Sequence, residues 1–435
     1  MRTRLLIAAI AVTAAVASGG DSWPGYRGPT GDGHAAGANL ATTWSETENV
    51  RWKTAIHGKA WSSPVIQGNQ VWVTTADELL MEKSPPAKGA KGGAPDNPVK
   101  EVTFYAVCAD RASGKIVHDV KLGSQMNPQY CHPFNSYGSC TPFLDGGRLY
   151  AHFGSLGTWC LDAATEKILW ERRDLECNHF RGPASSPIVS GDLVYLIFDG
   201  FDQQYVVALN KHTGATEWKT DRNIKYSSAN GDFKKAYATP ALVEIDGKPQ
   251  LICPSAECTI AYDPKSGAEL WRISHGGMNG SGRPVMSAGL LYLTSGHNGR
   301  LLAVKPSGSA MLPPSAVAWQ AAKNVPTRPS VLIDNGLLYM VSDNGIASCL
   351  DAASGKAYWS ERLDGEFSAS PILAGKFIYC CNQSGKTFVL ATGKTFNVVA
   401  ENRLDGGFMA SPAVAGNDLI LRTRTHLYCI GAKRE

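Results

Sequence analysis

Apolar positions along the chain come in short runs separated by Gly, Asp and Asn, and the runs recur in units. A Ser/Thr-x-Pro-like element followed by a Gly turn and an apolar strand repeats at Pro64, Pro142, Pro187, Pro240, Pro284, Pro329, Pro371 and Pro412. Successive spacings are 78, 45, 53, 44, 45, 42 and 41 residues, so all but the first fall near one unit length. In the third unit, SSPIVSGDLVYLIF predicts two β-strands around Gly191-Asp192, and YVVALNKHTGATEW predicts two more around His212-Thr213-Gly214. The second hairpin recurs and ends in Trp170, Trp218, Trp271 and Trp359. In three of these four, Gly stands four residues before the Trp, where a tight turn needs a positive φ; Glu166 takes that place in the other.

Four-stranded units of this length, each with edges to hide, predict an all-β, eight-bladed β-propeller of antiparallel blades. Trp52, Trp170, Trp218, Trp271, Trp319 and Trp359 are then expected to pack each blade on its neighbour. After Pro412 there is room for only three strands, Ala413–Ala415, Leu419–Thr423 and His426–Ile430. The missing fourth is expected from NVRWKTA, Asn49 to Ala55, which closes the ring without a free edge. The propeller is thus assigned to residues 49–435, preceded by an N-terminal extension, 18–48. The long first spacing holds a Pro/Gly/Lys/Ala-rich insert, 78–100, read as a flexible loop.

Composition narrows the classes. The 435 residues are 43% hydrophobic and 18% charged, which excludes a disordered chain. Forty-two Lys and Arg against 38 Asp and Glu give no basic field for nucleic acid. Met1-Arg2-Thr3-Arg4, the apolar run Leu5 to Ala17 and the ending Ala15-Val16-Ala17 form a signal-peptide pattern, with cleavage expected after Ala17. The first Cys is Cys108, so no lipid anchor is expected at the cleavage point; nor is a transmembrane segment. A monomeric periplasmic or secreted protein is expected.

The pattern A-x-D-x-x-[ST]-G-x-x-x-W resembles the pyrroloquinoline-quinone (PQQ) type propeller repeat of quinoprotein dehydrogenases and of BamB-like outer-membrane-assembly propellers. The opening WPGYRGPTGDG, Trp23 to Gly33, and the SSP strand starts also resemble secreted BamB-like members. The resemblance implies the fold; the repeat marks blade packing and no reaction. The assembly lipoproteins are tethered through a lipidated Cys, which this chain lacks at the cleavage site.

Candidate chemistry is sparse. Cys108, Cys160, Cys349 and Cys429 share a third-strand position with Ala208, Ala261 and Ala303 and read as small buried residues. Cys131 with Cys140, and Cys253 with Cys258, are close enough for local disulfides. Some PQQ alcohol dehydrogenases carry a vicinal Cys pair at the cofactor, but Cys380-Cys381 falls on a strand, where neighbours face opposite ways, and reads as packing. Cys131, His132, Cys140, Cys177 and His179 are weak candidates for a zinc or copper site, and ordinary loop residues are the simpler reading. Asp199 to Gln204, DGFDQQ, lacks the ligand count of a calcium loop and reads as a solvated turn. No GxSxG, P-loop or H-E-x-x-H occurs.

Loops entering the first strand of each blade should form one mouth of the axial channel. That places Trp61, Asn135, Tyr137, His179, Arg181, Tyr237, Arg283 and Arg328 near a common funnel. Three Arg with aromatic rings suit an anionic planar or sugar-like ligand; the alternative is a channel filled by water and internal hydrogen bonds. Two functions follow. One is a non-catalytic module binding an exported protein, a glycan or a small molecule, with no cofactor. The other is a PQQ- and Ca-dependent dehydrogenase of alcohols or sugars, which needs acid and amide ligands for Ca²⁺, a stacking Trp and an Asp base.

Overall fold

The computed structural model describes residues 20–82, 97–308 and 310–431; the expected leader, 1–17, lies outside them. Eight antiparallel sheets form a closed β-propeller, as the repeat predicts. Blades 1 to 7 span residues 65–126, 143–172, 188–221, 241–274, 285–321, 332–362 and 372–403. Blade 8 combines Ala413–Ala415, Asp418–Arg422 and His426–Ile430 with Val50–Ala55 from the other end of the chain. The apolar cores lie between neighbouring blades; Tyr150, Trp170, Val194 and Val207, for example, join blades 2 and 3.

The recurring Trp has a uniform place. In six blades it sits opposite a small third-strand residue: Trp52 faces Cys429, Trp170 Cys160, Trp218 Ala208, Trp271 Ala261, Trp319 Ala303 and Trp359 Cys349. Five of these indoles donate to a turn carbonyl of the next blade, at Arg111, Lys211, Pro264, Ala352 and Gly393, over 2.8–3.1 Å. Trp271 instead bonds Gln250 Oε1 in its own blade, at 2.7 Å. The two departures from the pattern in blades 1 and 2 meet: His118 occupies the Trp position opposite Cys108, and Glu166 the Gly position. Glu166 takes a positive φ of 64° and its carboxylate pairs with His118 across the blade boundary.

Gly214 shows why the turn before the Trp is constrained. Its φ is +74°, and a Cβ there would stand 2.8 Å from the Trp170 ring. Gly214→Ala is therefore expected to lower stability by about 1–2 kcal/mol, read from the urea midpoint.

Several expectations change in detail. Blade 1 is built from long strands, Gln70–Leu80, Val99–Asp110 and Ile116–Met126, so residues 78–80 and 99–100 of the expected loop are strand. All eleven cysteines are free thiols, so neither local disulfide is formed. Cys253 lies opposite Ile260 and Cys258 opposite Ser274, not opposite each other. Cys380 and Cys381 are both buried and serve different cores, one between blades 6 and 7 and one toward blade 8. Asp199, expected in a solvated turn, is 2% exposed.

A candidate axial binding funnel

The first strands of the blades surround the axis, and the residues entering them are linked to their neighbours in two runs. The backbone N–H of Ser63 donates to Thr141 Oγ1, that of Thr141 to Ser186 Oγ, and that of Ser186 to Thr239 Oγ1. The relay resumes from Arg283 N to Ser330 Oγ, then Ser330 to Ser370, Ser370 to Ser411 and Ser411 back to Ser63. All seven bonds are 2.8–3.1 Å long. The recurring Ser/Thr thus bolts blade to blade. In blade 6 the equivalent residue is Ser330, which follows Pro329; in blade 5 Arg283 replaces the hydroxyl.

One end of the channel is shut by the N-terminal extension. Ser22–Trp23 pairs with Val65–Gln67 in blade 1, and His34–Ala35 pairs with Ile372–Ala374 in blade 7. Between these anchors the strap crosses under the axis. Pro24 O accepts from Leu144 N in blade 2 (2.7 Å), and Tyr26 O accepts from Arg283 Nη1 in blade 5 (2.6 Å). Arg27 donates to Val331 O and Pro371 O, each at 3.0 Å, and to Asp32 O. The Tyr26 hydroxyl meets Ser370 Oγ at 2.9 Å. Tyr26 is therefore the floor of a blind funnel.

The open part has a volume of about 390 Å³. Near the rim, Trp61 Nε1 donates to Phe134 O (3.0 Å), and the Arg328 guanidinium lies 4.6 Å over the Phe134 ring. Arg181 grips Asp232 with two bonds of 2.6 and 2.7 Å, and Arg328 pairs with Asp343. Burial works to lower the Arg181 pKa, yet the Asp232 hydrogen bond and charge carry it above its usual value. Asn135 donates to Arg181 O and Pro183 O and accepts from Ser139 Oγ, so it shapes the wall. Among the described residues, no Asp or Glu side chain lines the cavity.

Of the eight candidates, Trp61, Asn135, Arg181, Tyr237 and Arg328 line the funnel. Three stand elsewhere. Tyr137 is in the core between blades 1 and 2, with its hydroxyl donating to Gln129 O at 2.8 Å. His179 is buried behind the wall, where Nε2 accepts from Ser155 N (2.9 Å) and Nδ1 faces Lys235 Nζ (3.0 Å). Burial, then Lys235 and His152, push its pKa well below the usual value, so it is neutral. Arg283 lies under the floor. The side chains missed by the sequence reading include Tyr26 and Phe134; nothing local marks them, because the strap's path is not periodic.

The five metal candidates do not assemble. Cys177 Sγ is 3.9 Å from His179 Nδ1, and His132 Nδ1 accepts from Phe134 N. Among the described residues no three His, Cys, Asp or Glu side chains are grouped to hold an ion.

The ring and its strap define a closed eight-bladed propeller with one blind axial funnel. The chain belongs to the family described as outer membrane protein assembly factor BamB, whose model matches residues 103–243 and 309–399, more than half its length. It is similar in structure to BamB from Moraxella catarrhalis, with a TM-score of 0.52 and 15% identity over 82% of this chain and 100% of that one. A europium-containing methanol dehydrogenase gives a TM-score of 0.62 at 10% identity, covering 93% of this chain and 90% of that one. The quinohemoprotein alcohol dehydrogenase from Comamonas testosteroni gives 0.60 at 12% identity, covering 95% and 81%. These likenesses concern the fold. In sequence, tetrathionate hydrolase from Acidithiobacillus ferrooxidans is 24% identical over 359 residues, 78% of this chain. The match spans 66% of that relative's length.

Proposed function

We propose that this chain is an exported, non-catalytic binding module whose working surface is the axial funnel. The observation that carries the reading is a cavity closed at one end by Tyr26 and walled by hydroxyls and aromatic rings, without a carboxylate. A pocket of this size with a few fixed polar groups suits a small molecule or one end of a larger partner. The leader-like N-terminus supports a periplasmic or secreted site of action, and among the described residues no helix is long and apolar enough to cross a membrane.

The dehydrogenase reading fits these residues poorly. A Ca²⁺ ion beside PQQ needs carboxylate ligands, and the proton abstraction needs a carboxylate base. Asp232 and Asp343, which reach the funnel's arginines, are engaged by Arg181 and Arg328. No step through PQQ follows from this funnel.

The test is calorimetric titration of the mature protein with PQQ, with and without Ca²⁺, beside a panel of oligosaccharides and small anions. Tetrathionate, the dianion in the distant relative's name, belongs in that panel. PQQ is expected to give no calcium-dependent binding, while at least one panel member saturates at one to one and is lost on Trp61→Ala. Saturable PQQ binding strengthened by Ca²⁺ would return the dehydrogenase to the front.

A further inference from the structure

The hydroxyl relay leaves something over. Ser63, Thr141, Ser186, Thr239 and Ser411 line the cavity, and each is no more than 5% exposed. Each oxygen accepts one backbone N–H, and none of these five hydroxyls donates to an acceptor among the described residues. A Ser or Thr hydroxyl carries one proton to donate, so five buried donors at the inner wall have no acceptor among the described residues. Leaving such groups unmatched is costly unless water or a ligand meets them.

The surroundings share this sign. Arg422 lies behind Ser63, where its Nη1 donates to Ser62 O and Thr74 O. Arg283 and Arg27 sit under the floor and donate to main-chain carbonyls. None of the three has a carboxylate ion pair among the described residues, in contrast to Arg181 and Arg328. Burial lowers Arg422 to about 9 and Arg283 to about 10, so both stay charged at neutral pH. The Asp32 charge acts on Arg27 and Arg283, while burial alone shifts Arg422; charge in a poorly solvated wall acts over a longer range than the same charge at a surface. Asn279 also lines the cavity, and its Oδ1 is buried without a partner.

We propose that the inner ring is an oxyanion site, and that the funnel takes a small ligand with a carboxylate, sulfonate or phosphate at its inner end and a ring at its outer end. This rests on the reading of the funnel as the working surface and names its ligand class. An oxyanion has only acceptors and matches a ring of five hydroxyl protons that the described residues leave unused. A neutral sugar hydroxyl can donate to the lone pair left on each of these oxygens, but it gains nothing from the cations behind the wall, whereas an oxyanion does. Trp61, Phe134 and Tyr237 bound the wider part, where an aromatic or sugar ring would lie.

The experiment uses matched probes on the mature protein: phenyl phosphate, benzenesulfonate and benzoate against phenyl β-glucoside. The anions are expected to bind at one site, compete with one another, and bind at least tenfold more tightly than the glucoside. Ser186→Asp keeps an acceptor for Thr141 N but replaces the donor with a negative charge, and should weaken phenyl phosphate more than tenfold. Ser186→Thr should leave it within threefold. If Ser186→Asp does not fold, the wild-type ranking decides alone. Glucoside binding equal to or tighter than phenyl phosphate overturns the oxyanion site and leaves the funnel as a binding surface. Loss of all four probes, with oligosaccharides still bound, overturns it too. If every probe and every panel member fails, both readings fall.

Discussion

Asp199→Ala is expected to lower stability by about 3–5 kcal/mol, because it strands a guanidinium in the interior. Arg222 and Asp199 have side-chain exposures of 0% and 1% and pair at 2.7 Å between blades 3 and 4. Arg222 also donates to Pro254 O at 3.0 Å and Cys253 O at 2.5 Å, so removing the carboxylate leaves it held in place with no counter-charge. Burial alone would lower the Arg222 pKa, yet the Asp199 charge and neighbouring groups hold it above its usual value, so the cation stays protonated. Removing both charges tests this cause. Asp199→Val with Arg222→Met should cost less than the sum of the two single changes, since neither charge is then left alone. Urea midpoints of the two single variants and the double variant measure it. A single-variant loss below about 1 kcal/mol would show that water reaches the pair, as at an exposed ion pair. The loop also carries the wall: Asp199 O accepts from Lys235 Nζ at 2.6 Å, and Lys235 lies 5.1 Å from the Tyr237 ring. The same variant should therefore weaken whatever ligand the funnel holds.

Arg27→Ala should cost about 2–4 kcal/mol and open the closed end of the funnel. Arg27 is 1% exposed, and its fork ties the strap to blades 6 and 7 through the carbonyls of Val331 and Pro371 while holding Asp32 O. Truncation leaves these buried acceptors without a donor. Part of the loss is offset, because a buried guanidinium lacking a carboxylate has itself given up its hydration. Arg27→Lys should recover little, since one ammonium on a flexible stem does not reproduce a rigid fork serving separate carbonyls. Two readings check the prediction. The urea midpoint should fall, and limited proteolysis between residues 20 and 40 should accelerate well before global unfolding. A stability loss without faster cleavage would mean that the strap stays seated through Trp23 and Ala35, and that Tyr26 remains the floor.

These two predictions fall where the sequence was least readable. Asp199 looked like part of a solvated turn because DGFDQQ is polar over several residues, and its partner Arg222 is 23 positions away across a hairpin. Tyr26 and Arg27 sat inside WPGYRGPTGDG, where nothing periodic marks a buried side chain. Tyr26 meets Ser370 across 344 positions, a separation that no local pattern encodes. Tyr137, His179 and Arg283 lie in the loops expected to enter the funnel, yet they turn into a core, behind the wall and under the floor. The position of a residue along a loop fixes its neighbourhood; the packing around it fixes its direction.

By itself, the sequence determined the architecture: eight units, four strands in each, closure by Asn49 to Ala55, a Trp against the next blade, and cysteines in the small third-strand slot. These features are set by alternation of apolar positions, turn residues with positive φ and spacings inside one unit, all of which act over a few tens of residues. It also showed the recurring Ser/Thr before the first strand, though not what that residue does. Only the tertiary structure decided that the hydroxyls form an acceptor relay in which five protons are left over, that the strap shuts one end, and that no carboxylate among the described residues lines the cavity. Each depends on one residue contributed by each of several blades around an axis, and such a site exists only when the ring is closed.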